Sequence, residues 1–343
     1  MAQFSNIKKP AFYIPYMDYQ QSLGNIVYKN HPFNDIHLLN PTKTHTLPLV
    51  IGEDIVYDVE SKDALNIGTL TDADGYIYFF ILGHNFHSLN ASINIQLIDY
   101  DTGVYIDAER TEIVNDNGSA SKPSYNGFSI FKATYSSATD ITGYRIKISN
   151  LGASTETMKL GCVALCSKWN PPHSPDLSVS MTRDFSGVST VTTKGGATIS
   201  NAKYTRGGTF WATSYAWELT TGEYDQGVES TVEMSRTLGR RIWSMNFSYL
   251  KPENIMPKTE SLTKYQTTLQ ATDDSIMHSQ SFFARVLNRI QGSHLPFIFL
   301  PNDTDPNYNP DQWAICRLDQ KNVSITQAAP ELYSLSMKLK ESY

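Results

Sequence analysis

Short apolar runs that alternate with polar residues, broken by polar turn clusters, constrain this chain more than any other feature. Ile93, Ile95 and Leu97 alternate with Ser92, Asn94 and Gln96. Tyr144, Ile146 and Ile148 alternate with Arg145, Lys147 and Ser149. A period of two sends successive side chains to opposite faces of a strand, so each run specifies a strand with one buried face. Residues 76–82 are apolar on both faces, as in a fully buried strand. Residues 128–133, Met158 with Leu160, and residues 162–166 complete the set. Between them lie "DADG", "DYDTG" and "NDNGSASKPSYNG", which are rich in turn residues. Short strands at this spacing, without a helical period, predict a β-sandwich over residues 45–168.

The strongest break is "KWNPPHSPD", residues 168–176, with Pro171, Pro172 and Pro175. Proline lacks a backbone donor and fixes φ, so neither a helix nor a central strand crosses it. All five tryptophans lie at Trp169 or beyond. We therefore expect a linker at residues 169–176 and a second domain over 177–343. There Leu177, Val179 and Met181 alternate, as do Trp243, Met245, Phe247 and Tyr249, and then Tyr333, Leu335, Met337 and Leu339. Phe283, Val286, Leu287 and Ile290 fall at helical spacing with Gly292 placed as a stop, which predicts a helix at about residues 275–291. With the strand "PFIFLP", this makes the second domain β-rich, a barrel or a sandwich with one packed α-helix. Residues 1–44 carry many aromatics with poor periodicity, and read as an arm docking on a neighbour or as a strand added to one of the domains.

Composition narrows the partners. Only 18% of residues are charged and the net charge is −6, so no surface of clustered Lys and Arg is available to neutralise phosphates. Nucleic acid is excluded on that ground. Neutral polar side chains and 20 tyrosines suit contact with sugars or proteins. The first residues contain no uninterrupted apolar core of a signal peptide, and no run approaches the roughly 18 apolar residues of a membrane span. Cys162 and Cys166, on one face of a strand, stand about 13 Å apart, too far for a disulfide. With Cys316 they read as core thiols of a protein made in a reducing cytosol.

The motifs that suggest chemistry are incomplete. "GHNFH" at residues 83–87 gives His84 and His87 an H-x-x-H spacing, yet no carboxylate or thiol completes a ligand set and no helix aligns the two rings. Gly83 and Asn85 favour a turn, and a turn at the edge of the sandwich is the reading taken here. Asp303, Asp305 and Asn307 match the start of a calcium loop, but the glycine and the closing glutamate are missing. A loose Ca²⁺ site there is not favoured, and no cofactor is expected. Two S-x-x-K matches, at Ser119 and Ser261, lack their companion motifs. Residues 200–222 run from Arg206 into Phe210, Trp211, Tyr215 and Trp217. They form either two buried strands or an aromatic partner surface. The candidate contact residues are His84, Asn85, His87, Tyr125, Arg206, Trp211 and Trp217, with no catalytic or metal residue among them.

"GYIYFFILGHNFHSLNASINIQL" resembles a recurring piece of bacteriophage tail proteins, in which a strand ends in G-H-N-L before a small-residue turn and another strand. Phe86 stands here in place of the leucine. "FYIPYMDYQQSLGN" is similar to the entry segment of such proteins. "MSRTLGRRIWSMNFSYL", "LPFIFLPND" and "YSLSMKLKES" resemble the C-terminal half of distal-tail or minor tail proteins. The resemblance implies a galactose-binding-like (discoidin-like) jelly-roll followed by a tail-assembly domain. It implies a non-enzymatic virion protein, made in the host cytoplasm, that forms a homo-oligomeric ring. Its partners would be tail-tube, hub or tail-tip proteins and, through the sandwich, host-surface carbohydrate. The turns at residues 72–75 and 116–125 would be ligand loops. A receptor-binding adhesin with a carbohydrate module is the first alternative, and a polysaccharide hydrolase with an unidentified carboxylate pair the second.

Overall fold

The computed structural model describes residues 7–29, 35–40, 43–47, 53–72, 74–114, 122–123, 126–134, 140–149, 157–184, 188–202, 240–258, 276, 279–304 and 313–342. The first half contributes strands β1 (Ala11–Pro15), β2 (Ile26–Lys29), β3 (His45–Leu47), β4 (Ile55–Asn66), β5 (Ile77–His84) and β6 (Ser92–Asp99). They are followed by β7 (Tyr105–Asp107), β8 (Glu109–Val114), β9 (Gly127–Thr134), β10 (Asp140–Ser149), β11 (Met158–Leu160) and β12 (Cys162–Trp169). The second half adds β13 (Ser180–Asp184), β14 (Val188–Thr192), β15 (Thr198–Ala202) and β16 (Arg240–Leu250). The last four are β17 (Phe297–Leu300), β18 (Ala314–Leu318), β19 (Ser324–Ala329) and β20 (Leu332–Glu341).

The protein is mainly β, and among the described residues its sheets are open rather than closed into a barrel. One sheet holds 11 strands in the order β13-β16-β20-β18-β17-β1-β12-β5-β9-β8, with β19 also on β20. A second sheet holds five, β2-β4-β10-β6-β7. In the first half the two sheets face each other as a sandwich. Ile77, Phe79, Ile81, Val163 and Leu165 of the large sheet pack against Tyr57, Val59, Ile95, Leu97 and Tyr144 of the small one. These are the inward positions of the alternating runs.

No helix or strand crosses residues 170–179, as the prolines require. The large sheet nevertheless runs on past that break, because β1 lies between the two halves. Phe12 pairs with Trp169 of β12 on one side and with Phe299 of β17 on the other. Within residues 1–44, expected as an arm or an added strand, β1 is thus a central strand joined to both halves, followed by a helix at Tyr16–Ser22 and by β2 in the small sheet. All five β1 residues are buried, and both faces of the strand meet core. Phe12 and Ile14 enter a cluster with Trp243, Phe247 and Phe299, while Ala11 and Tyr13 enter another with Phe80, Ile298 and Trp313.

The helix expected at about 275–291 is much shorter. Phe283–Leu287 forms a single π-helical turn, with Asn288 N–H donating to the Phe283 carbonyl at 2.8 Å and turns on the C-terminal side. Gly292, expected as the stop, lies within those following turns at φ 72° and donates its N–H to the Leu287 carbonyl at 3.0 Å. Two buried arginines reach from this segment into the first half. Arg285 donates to the Gly68 carbonyl at 2.9 Å, and Arg289 to Ser167 Oγ at 2.6 Å while lying 4.8 Å over the Tyr16 ring. The alternation at Leu177, Val179 and Met181 also stops short: the strand begins at Ser180, and Leu177 is fully exposed.

Candidate functional site

The Gly83-His84-Asn85 corner closes β5. Gly83 has φ 68°, and the ladder with β9 shifts register between Leu82 and His84. His84 turns inward and is buried. Its Nε2 lies 3.0 Å from Ser129 Oγ, and its ring stacks on Phe86 with centroids 4.6 Å apart. Nδ1 accepts the Phe86 N–H at 3.4 Å, so Nε2 carries the proton and donates to Ser129. Burial pushes the His84 pKa down to about 3, which keeps the ring neutral. Asn85 clamps the approach to β11: its amide donates to the Thr157 carbonyl at 3.0 Å and its oxygen accepts Lys159 N–H at 2.7 Å. His87, exposed, has its Nδ1 3.1 Å from the Pro123 carbonyl. The two histidines thus face different partners and share no ligand. The corner turns the chain at the end of β5, a strand lying between β12 and β9 inside the large sheet.

The other candidates divide. Tyr125, Arg206, Trp211 and Trp217 lie outside the described residues, as do Asp305 and Asn307. Asp303 is described, and its carboxylate is bound by Lys168 at 2.6 Å, with Asn170 and the Tyr13 hydroxyl at 3.3 and 3.5 Å. It pins the loop after β17 to the end of β12. In the ligand-loop candidate at 72–75, Asp72 closes its own turn by accepting the N–H groups of Asp74 and Tyr76 and the Tyr78 hydroxyl. In "DYDTG" Asp99 accepts both the backbone and the side chain of Thr102, which holds its carboxyl below the usual range. Among the described residues no group of three or more His, Cys, Asp or Glu could hold a metal ion. Cys162, Cys166 and Cys316 are free and buried, and burial raises all three thiols well above their ordinary value.

A second constellation, absent from the sequence reading, lies on the outer face of the small sheet. Asp58 of β4, Arg145 of β10, Gln96 of β6 and Asp107 of β7 stand in one cross-strand row. The guanidinium grips the fully buried Asp58 with two parallel bonds of 2.6 and 2.7 Å, and lies 3.5 Å over the Tyr105 ring. Asp107 Oδ1 accepts the amides of Asn94 and Gln96 at 3.1 and 3.0 Å. Lys147 pairs with Asp54 at 2.8 Å. Arg145 and Lys147 are each paired with a carboxylate, and the Asp107 carboxylate is held by amides, so the row presents amide, carboxylate and exposed tyrosine. Such a plane can hydrogen-bond neutral hydroxyls and receive a C–H face on its ring. The readable signal was the alternation of Tyr57 and Val59 with Asp58 and Glu60.

No protein-family model, curated protein or solved structure matches the chain.

Proposed function

We propose that this chain is a non-enzymatic structural protein of a bacteriophage tail, at or near the distal end, assembling with copies of itself into a ring. Two things support the reading: the tail-protein resemblance of the segments quoted above, and the fate of the chain's candidate chemistry. The observation that carries it furthest is the corner itself. His84, Asn85 and Asp303, the groups best placed by type to react or to bind an ion, hold the β-framework together. Both ring nitrogens of the buried His84 are engaged within the framework, Nε2 with Ser129 Oγ and Nδ1 with the Phe86 N–H. Electron microscopy of the purified full-length protein, with its mass by light scattering, tests this. A closed ring supports the proposal, and its symmetry identifies the position in the tail. A monomer at every concentration speaks against it.

One observation favours a second reading, a receptor-binding adhesin. The outer-face row centred on Arg145 and Tyr105 offers a polar plane of amides, a carboxylate and a ring to which a host glycan could bind. The full-length protein would then bind neutral oligosaccharides on a glycan array, and Tyr105→Ala with Asn94→Ala would abolish that binding. Loss of signal from neither substitution removes this face as the site.

A further inference from the structure

The helix Tyr16–Ser22, α1, is held by both halves of the chain. Its first five residues are buried. Tyr16 and Met17 enter the sandwich core with Val163 and Leu165 of β12. From the second half, Arg289 lies over the Tyr16 ring and Gln291 Nε2 donates to Ser22 Oγ at 2.5 Å. Arg289 also donates to Ser167 Oγ of β12, so one guanidinium grips helix and strand together. After the helix Ser22, Leu23 and Gly24 are exposed, and Gly24 has φ 74°. A helix of seven residues has little stability of its own, so its place depends on these contacts.

One buried residue of α1 works against that seat. Asp18 is 3% exposed, its Oδ2 accepts the Leu39 N–H at a long 3.5 Å, and its Oδ1 has no hydrogen-bond partner. Cys162 and Cys166 of β12 lie close enough that a charge on Asp18 raises both thiols. The turn at residues 35–40 supplies the Leu39 N–H and also carries Asp35 and His37, the latter bonded to Gln21 of α1. Arg317 of β18 is the cation whose charge reaches Asp18. Burial outweighs the Leu39 N–H and Arg317, and pushes the carboxyl up to about 8. These surroundings accept the neutral acid and not the carboxylate. Turning a short helix out to water relieves a charge there at less cost than unfolding both halves, because local opening needs only the contacts of that element to break.

We infer that Asp18 is a proton-controlled latch: α1 stays seated between the two halves while Asp18 is neutral and turns out to water when it ionises. Opening takes Tyr16 from under Arg289, and so loosens the hold of residues 285–292 on β12. The seated form binds the extra proton. Opening is therefore hardest below the ordinary value of 3.8, becomes easier as pH rises, and levels off above about 8.

Hydrogen exchange of the full-length protein, read by mass spectrometry with each rate divided by the intrinsic rate at that pH, tests the latch. The opening equilibrium of residues 16–22 should rise roughly tenfold per unit between about pH 5 and 8 and then flatten. At every pH these residues should exchange faster than β10 and β20, and residues 285–292 should follow them. Asp18→Asn keeps the shape and removes the charge, so its exchange in α1 should not change with pH. A flat profile in the wild type overturns the latch. So does exchange in α1 no faster than in β10 and β20, because then only global unfolding exposes Asp18. A slope that persists in Asp18→Asn assigns the control to another group, such as His37, and overturns it as well.

Discussion

Phe12→Ala removes a ring that links the two halves of the large sheet. Phe12 is fully buried, with ring centroids 5.4 Å from Trp169, 5.7 Å from Phe297 and 5.3 Å from Phe299. Truncating a buried phenylalanine costs about 3–5 kcal/mol, and three aromatic contacts place this site near the upper end. With an unfolding entropy of about 2.1 cal/mol/K per residue, that is a fall in Tm of about 4–7 °C for a single cooperative transition. The informative assay is hydrogen exchange through the transition, read in β10 and in β20. Neither strand is hydrogen-bonded to β1, yet a sheet continuous through β1 couples the two halves. Both should lose protection at the same, lowered temperature. If β10 keeps its wild-type midpoint while β20 melts early, the halves are independent domains and the argument from β1 fails.

Three further outcomes follow from buried groups. His84 has a folded pKa of about 3 against an ordinary 6.5, so the unfolded chain binds the extra proton between those values. Stability is full above pH 6.5 and is lost as pH falls towards 3, by several kcal/mol. His84→Gln should flatten that acid limb in urea titrations. Burial raises Asp18 from 3.8 to about 8, the opposite case. The folded chain keeps its proton, so stability declines as pH rises from about 4 to 8, and Asp18→Asn should be the more stable protein at pH 7, by a few kcal/mol in urea midpoint. Gly143 lies where an added Cβ would meet the Val59 carbonyl oxygen at 1.9 Å. Gly143→Ala should therefore open the β4–β10 ladder, read as faster exchange at Tyr144 and Arg145. Unchanged exchange would show that the bulge has slack.

What could be read beforehand was what is local. β6, β10 and β20 stand where their alternation puts them, because one face of each is wet or polar and the period is visible in the chain. β1 was not legible for the same reason in reverse. Its five residues are buried on both faces between two prolines, so no period exists, and its partners lie far along the sequence. The helix was overestimated because the i, i+3, i+4, i+7 spacing of Phe283 to Ile290 fits a π-turn with flanking turns as well as it fits a full helix. Tyr249 kept the alternation of β16 on paper, but a bulge turned it outward. At the corner, residue types revealed a turn, while the pairing of His84 with Ser129 across 45 residues was beyond any pattern. The row of Asp58, Arg145, Gln96 and Asp107 needs the register of four strands before it exists at all.

The place of β1 also sets a timetable. Tyr13 meets Asp303 across 290 positions of chain. A ribosome adding about 5–20 residues per second delivers β17 only some tens of seconds after β1 has been made. Until then β12 offers β1 one neighbour, and the other edge of β1 stays open to any strand that passes. Long-range pairing of this kind is slow. Nascent chains crowded on one message thus have both the time and a vacant edge for strand exchange, and the yield of correctly closed molecules should fall as synthesis is driven faster.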